Sequence, residues 1–243
     1  MSKQSYWHRS SLYGQDRTRA CQFSPATFAR YQFGNFDHFS GPSGYEDTTH
    51  YDGFTTTVDG AGTINLIDRV GGWLQLVSGA GDTNGVQIQQ EHETFLPAAN
   101  RDIHFGCSIE LTEATQSYFF AGLAITDTDI DTGSYPADIV GFEKTDGDAN
   151  LEFICDSTVS GALGTTDTGI DIVAAETIEL GFSIFGITSV RTYINGVENA
   201  ATYMNTVANI PITEMAMAFS LRTGDNFVED MSIDWYSIVQ TYS

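Results

Sequence analysis

The stretch that decides the fold is ETIELGFSIFGITSVRTYINGVENA, residues 176–200. Ile178, Leu180, Phe182 and Ile184 recur at every second position, so they share one side of an extended chain. That is the mark of a strand with one face in a core. After SVRTYI comes Asn195-Gly196, and then VENAATY. An Asn-Gly pair accepts the positive φ that a two-residue hairpin requires, so the stretch reads as three strands with a tight turn before the last.

The same period of two recurs on both sides of it. In RDIHFGCSIEL (101–111), Ile103, Phe105, Cys107, Ile109 and Leu111 face one way, and Asp102, His104, Gly106, Ser108 and Glu110 face the other. In EMAMAFSLRT (214–223), Met215, Met217, Phe219 and Leu221 form the apolar side, opposite Ala216, Ala218, Ser220 and Arg222. In MSIDWYSIVQ (231–240) the alternation assigns Met231, Ile233, Trp235 and Val239 to the core. Asp59-Gly60, Asn84-Gly85 and Asp146-Gly147 mark further turns. This spacing predicts roughly a dozen strands in an all-β sandwich over residues 54–243. Helical periodicity is confined to the short runs ATFARYQF and LPAAN.

Composition agrees. A hydrophobic fraction of 41% supplies a core, while 24 Gly against only 10 Lys and Arg speak against a helical bundle. No run of eighteen apolar residues is present, so no membrane span is expected. The 32 acids give a net charge of −22, which repels phosphate backbones and argues against a nucleic-acid partner. Cys21, Cys107 and Cys155 include no CxxC pair, which argues against a disulfide framework or zinc site and suits a reducing cytoplasm.

The charge is unevenly placed. Lys3, Arg9, Arg17, Arg19 and Arg30 against Asp16 make residues 1–30 about +4, leaving −26 for the rest. The leader lacks the apolar run of a secretory signal. It reads as a docking arm, with Tyr6, Trp7, Arg9, Tyr13, Arg17 and Arg19 as partner-binding residues. The aromatics would supply buried area and the cations orientation. Residues 31–53, YQFGNFDHFSGPSGYEDTTHYDG, are aromatic, Gly-rich and aperiodic, and read as an ordered connector.

Residues 176–200, together with VEDMSIDWYSIVQ (228–240), resemble strands of the concanavalin A-like (laminin G-like) jelly rolls. The likeness covers roughly residues 54–243. AGLAITDTDI and DIVGFEKTDGDANLEFICD, with the final strands, are similar in style to jelly-roll virion proteins of tailed bacteriophages. The first resemblance implies a two-sheet jelly-roll sandwich, here with an extended N-terminal arm. The second implies a non-enzymatic capsid decoration (cement) protein, made in the host cytoplasm and carried on the outer capsid surface of the virion. Its partners would then be the major capsid protein or another virion protein, and other copies of itself as a homo-oligomer. The rival implied by the fold is a carbohydrate-binding, lectin-like module for attachment to a host surface. Tyr118, Phe120 and Tyr193, with Tyr236, alternate away from the core runs and are the glycan-stacking candidates; equally, the second sheet, a neighbouring subunit or the arm could bury them.

Catalytic chemistry finds little footing. Jelly-roll glycosidases resemble one another in a Glu-x-Asp-x-x-Glu strand that sets two carboxylates on one face. Here Glu110 and Glu113 are three apart and would point to opposite faces. Glu91 and Glu93 share a face but lack the intervening Asp, and their strand is ending. No G-x-S-x-G elbow is present. Cys107 and Cys155 read as small core residues, and His104 as an outward-facing, satisfied surface or interface residue. Gly79–Gly85 reads as a hairpin turn. In DTDIDTGSYPAD (127–138), Asp127, Asp129 and Asp131 are calcium candidates, with Asp138 at the twelfth place. The loop departs from the EF-hand pattern, which needs Gly sixth and Glu twelfth, and reads as a solvated acidic loop. No catalytic residue, no cofactor and no enzyme activity are expected.

Overall fold

A computed structural model describes residues 32–37, 53–69, 72–128, 130, 135–158, 164–204 and 207–242, and the backbone alone at 32–37, 203 and 242. Fifteen strands are present among these residues, and one short 3-10 turn, Val207–Asn209. They form two antiparallel sheets.

The first sheet runs β13 (Val197–Met204), β12 (Ser189–Ile194), β11 (Thr177–Phe185), β6 (Arg101–Leu111), β15 (Asp230–Tyr242), β4 (Trp73–Val77) and β3 (Thr63–Ile67). Strand β1 (Gln32–Asp37) also pairs with β15. The second sheet runs β10 (Thr165–Asp171), β9 (Asn150–Asp156), β8 (Ile139–Lys144), β7 (Ser117–Ala124), β14 (Ala216–Thr223), β5 (Gly85–Gln90) and β2 (Phe54–Asp59).

The inner faces meet through the alternating apolar residues. Phe182 of β11 stacks on Phe105 of β6 with centroids 5.0 Å apart, and its other neighbour is Phe153 of β9 at 5.7 Å. Phe219 of β14 lies 6.3 Å from Phe105 and 6.3 Å from Tyr236 of β15. These rings tie both sheets together, and each buries the large apolar area that makes aromatic truncation costly. Asn195 (φ 49°) and Gly196 (φ 76°) both take positive φ in the β12–β13 hairpin, as the Asn-Gly pair predicts.

Four sequence expectations change. The last strand does not alternate throughout. Ile233 pairs with Ile109 but Trp235 pairs with Ser108, so a bulge at Asp234 inserts one extra residue. The bulge reverses the facing of everything after it. Tyr236 and Ile238 therefore enter the core, while Trp235 and Val239 leave it. Gly79–Gly85 is not a hairpin: it carries the chain from β4 in one sheet to β5 in the other. The aperiodic connector contains β1, whose Gln32 pairs with Thr241 and Asp37 with Tyr236. β4 leaves β15 after Ile233, and β1 takes the free edge beyond it. Last, the outward face of β6 is not solvated. His104 is buried, with Nδ1 2.9 Å from Ser183 Oγ, and burial pushes its pKa down to about 4.

Candidate functional site

The outer face of the seven-stranded sheet carries the polar and aromatic groups of most interest. Strand pairing sets them in rows. Asp59, Gly85, Arg222 and Tyr118 stand side by side across β2, β5, β14 and β7. The next row is Thr57, Gln87, Ser220, Phe120, Glu143, Glu152 and Asp167.

Gly85 has no side chain, and a small, shallow hollow opens between Asp59 and Arg222. Thr57, Thr83, Val86, Gln87 and Thr128 complete its lining. A Cβ at residue 85 would lie 2.9 Å from the Leu221 carbonyl oxygen, so close approach of β14 favours glycine here. Arg222 is held at two points. Its Nε donates to the Thr83 carbonyl at 2.9 Å, and its guanidinium carbon lies 6.0 Å from the Tyr118 ring centroid. Tyr118 is half-buried and offers its remaining surface beside the hollow.

The segment after β7 folds across the middle of this face. Gln87 Oε1 accepts the Ile130 amide at 3.0 Å, and its Nε2 donates to the Asp127 carbonyl at 2.5 Å. Gln89 repeats the arrangement, accepting the Asp127 amide at 3.0 Å and donating to the Ile125 carbonyl at 3.0 Å. Two glutamine amides thus satisfy backbone groups that no strand pairs. Ile130 seats in a second apolar cluster with Phe120, Ala124, Ile139, Ile154 and Ala218, and Tyr135 packs against it.

The far half of the second row is acidic. Glu143 is buried, and its Oε2 has no hydrogen-bond partner among the described residues. Burial pushes its carboxyl up to about 7; a Tyr135 hydrogen bond opposes this, Glu152 adds to it, and a Thr165 hydrogen bond opposes it again. Glu152 is raised by burial and by the charges of Asp167 and Asp148. The pair places two carboxyl groups on adjacent strands, with Glu143 only 3% exposed.

The sequence candidates are dispersed. Tyr6, Trp7, Arg9, Tyr13, Arg17 and Arg19 lie outside the described residues, as do Asp129, Asp131 and Cys21. Tyr118 is on the outer face as expected. Phe120 shares that face but is 1% exposed beneath Ile130 and Tyr135, so it is not a surface ring. Tyr193 is 2% exposed and belongs to the other sheet, on the opposite side of the sandwich from Tyr118. Tyr236 is in the core, turned there by the Asp234 bulge. Asp127 adjoins β5 through its backbone, and Asp138 is buried with its carboxylate accepting from Thr158. Among the described residues, no three His, Cys, Asp or Glu side chains converge as a metal site. Glu110 pairs with Arg69 at 2.8 Å, whereas Glu113 caps the turn after β6 by accepting from the amides of Thr115 and Gln116. Glu93 accepts the Thr126 amide, and Glu91 lies past the end of β5. Cys107 and Cys155 are buried, and burial pushes the Cys155 thiol up to about 12. Asp59, Thr57, Gln87 and Arg222 were not singled out from the sequence. Alternation puts Arg222 outward, but its meeting with Asp59 depends on which strands pair.

No protein-family model matches the chain, and no curated protein matches it. Solved structures do. A protein of unknown function from Shewanella oneidensis MR-1 is similar at TM-score 0.61 and 11% identity, over 94% of this chain and 95% of that one. The endo-1,3-beta-glucanase from Streptomyces sioyaensis is similar at TM-score 0.59 and 10% identity, over 88% and 98%. Peanut lectin is similar at TM-score 0.58 and 11% identity, over 87% and 98%. At these identities the likeness is one of fold, which hosts binding proteins and enzymes alike. Two antiparallel sheets in this order, with these neighbours, make the protein a concanavalin A-like jelly-roll β-sandwich.

Proposed function

We propose that the protein is a non-catalytic, lectin-like glycan-binding module, with its site at the hollow between Asp59 and Arg222. The observation that carries this reading is the grouping around Gly85. One partly exposed aromatic ring, Tyr118, stands beside one cation, one carboxylate and several hydroxyl and amide groups. A sugar needs this combination: an aromatic surface for its C–H face, and fixed donors and acceptors for its hydroxyls. Similar folds belong to a lectin and a glucanase, and to 49% of botulinum neurotoxin type C, whose cell entry depends on interaction with two ganglioside molecules, at TM-score 0.55. The enclosure of Glu143 favours binding over hydrolysis. A screen of immobilised glycans tests the reading. Binding that is lost in Tyr118→Ala, with the fold intact, supports it; no binding to any glycan overturns it.

A second reading follows from the charge partition, +4 in residues 1–30 against −26 beyond. The leader would dock on an acidic surface, such as a virion shell protein or another copy of this chain, as a decoration protein does. Co-sedimentation of a chain lacking residues 1–30 with assembled particles, beside the intact chain, tests it. Equal binding by the two would overturn it.

A further inference from the structure

Resting on the glycan-binding reading, we infer that the hollow selects sugars that carry a carboxylate, with Arg222 as the residue that reads it. The described arginines differ in how they are satisfied. Arg69 holds Glu110 at 2.8 Å, and Arg191 holds Glu198 at 3.6 Å. Arg222, in a chain of 32 acids and 10 bases, forms no ion pair with a carboxylate among the described residues. Asp59 lines the same hollow without forming an ion pair with Arg222.

Arg222 is also already immobilised. Its Nε is spent on the Thr83 carbonyl, and its plane rests near the Tyr118 ring. The remaining guanidinium N–H groups form a planar edge whose orientation is already restricted, which lowers the side-chain entropy lost on binding. Such an edge matches the two oxygens of a carboxylate, and charge-assisted bidentate pairs are about twice as strong as neutral hydrogen bonds. Thr57, Thr83 and Thr128 supply hydroxyl partners, and Asp59 accepts from a sugar hydroxyl rather than from the acid group. The ligand class is therefore a uronate or similar acidic sugar. The net charge of −22 opposes any anion at long range, but this field is screened beyond about 8 Å at physiological salt, while the contact pair is not.

The test uses the full chain at physiological salt and three immobilised polymers. One is a β-1,4-linked polyuronate, the second is the same polymer after carboxyl reduction, and the third is the reduced polymer carrying sulfate esters at matched charge. The expected result is about ten-fold tighter binding to the polyuronate than to its reduced form. Arg222→Gln should erase that ratio, with cooperative thermal unfolding at the parent's midpoint showing that the variant is folded. Arg222→Lys keeps the charge but not the fork, and should lose most of the preference. Equal binding to acidic and reduced polymers, or a preference that survives Arg222→Gln, would overturn the inference while leaving the glycan-binding reading standing. A stronger preference for the sulfated polymer would overturn the assignment to a carboxylate. Binding to none of the three, with none in the wider glycan screen, would overturn both.

Discussion

Gln87 and Ile130 are joined across the outer face of the seven-stranded sheet: the side-chain Oε1 of one accepts the backbone amide of the other at 3.0 Å. Together with the bond from Gln87 Nε2 to the Asp127 carbonyl, this fixes the segment that covers Phe120. Gln87→Leu keeps the bulk but takes away the acceptor of the Ile130 amide. Stability should fall by about 1–3 kcal/mol, because each buried unpaired polar group costs that order. Hydrogen exchange at the Ile130 amide should accelerate more than exchange in β6. Unchanged exchange at Ile130 would show that Gln89 alone holds the segment.

Lys144 is a buried cation whose ammonium donates to the carbonyls of Ser117, Thr145 and Asp148. Burial lowers its pKa to about 8, and the charges of Glu113, Asp146, Asp148 and Glu229 limit that fall. It gathers the loops after β6, β8 and β14 around one charge. Lys144→Met should cost about 3–5 kcal/mol, since removing one member of a buried charged set strands the others. Urea unfolding measures it; a loss below about 1 kcal/mol would show that water replaces the ammonium.

Glu143 makes stability depend on pH. Its folded pKa, about 7, lies above the ordinary 4.5, so the folded state holds the proton more tightly. Its contribution is full below about pH 4.5 and is lost as pH rises toward 7. Glu229, also pushed to about 7 by burial and neighbouring acids, acts in the same sense. His104 acts oppositely: its pKa is lowered from 6.5 to about 4, so its contribution is lost as pH falls through that range. Glu143→Gln should flatten the decline between pH 4.5 and 7, and should stabilise the protein at pH 8 by on the order of 3 kcal/mol. Thermal unfolding across that range checks it. A decline identical to that of the parent would place the titrating group elsewhere.

Deleting Asp234 removes the bulge while leaving composition nearly unchanged. Tyr236 and Ile238 would then face outward and Trp235 and Val239 inward, with Tyr236 losing its edge contacts to Phe54 at 6.0 Å and Phe219 at 6.3 Å. The deletion should abolish cooperative unfolding, whereas Asp234→Ala should change stability by less than about 1 kcal/mol, because a bulge depends on the extra residue and not on its side chain. Near-UV circular dichroism and denaturant melts separate the two. A cooperative deletion variant would mean that the strand re-registers without loss.

The sequence by itself determined that the chain is all-β and which side of most strands faces inward. Ile103 through Leu111, Ile178 through Ile184 and Met217 through Leu221 alternate without interruption, and alternation is a local property of the backbone. It also determined the Asn195-Gly196 hairpin, because the φ values of a tight turn select their residues. Only the tertiary structure decided the facing of Tyr236, since one inserted residue leaves no trace in composition. The burial of Phe120 and Tyr193 was equally hidden, because an outward-pointing ring is solvated or covered according to what crosses it. The meeting of Asp59, Gly85, Arg222 and Tyr118 joins four strands spread over more than 160 positions. Which strands pair is settled by packing of the whole sandwich, and the hollow exists only as a consequence of that pairing.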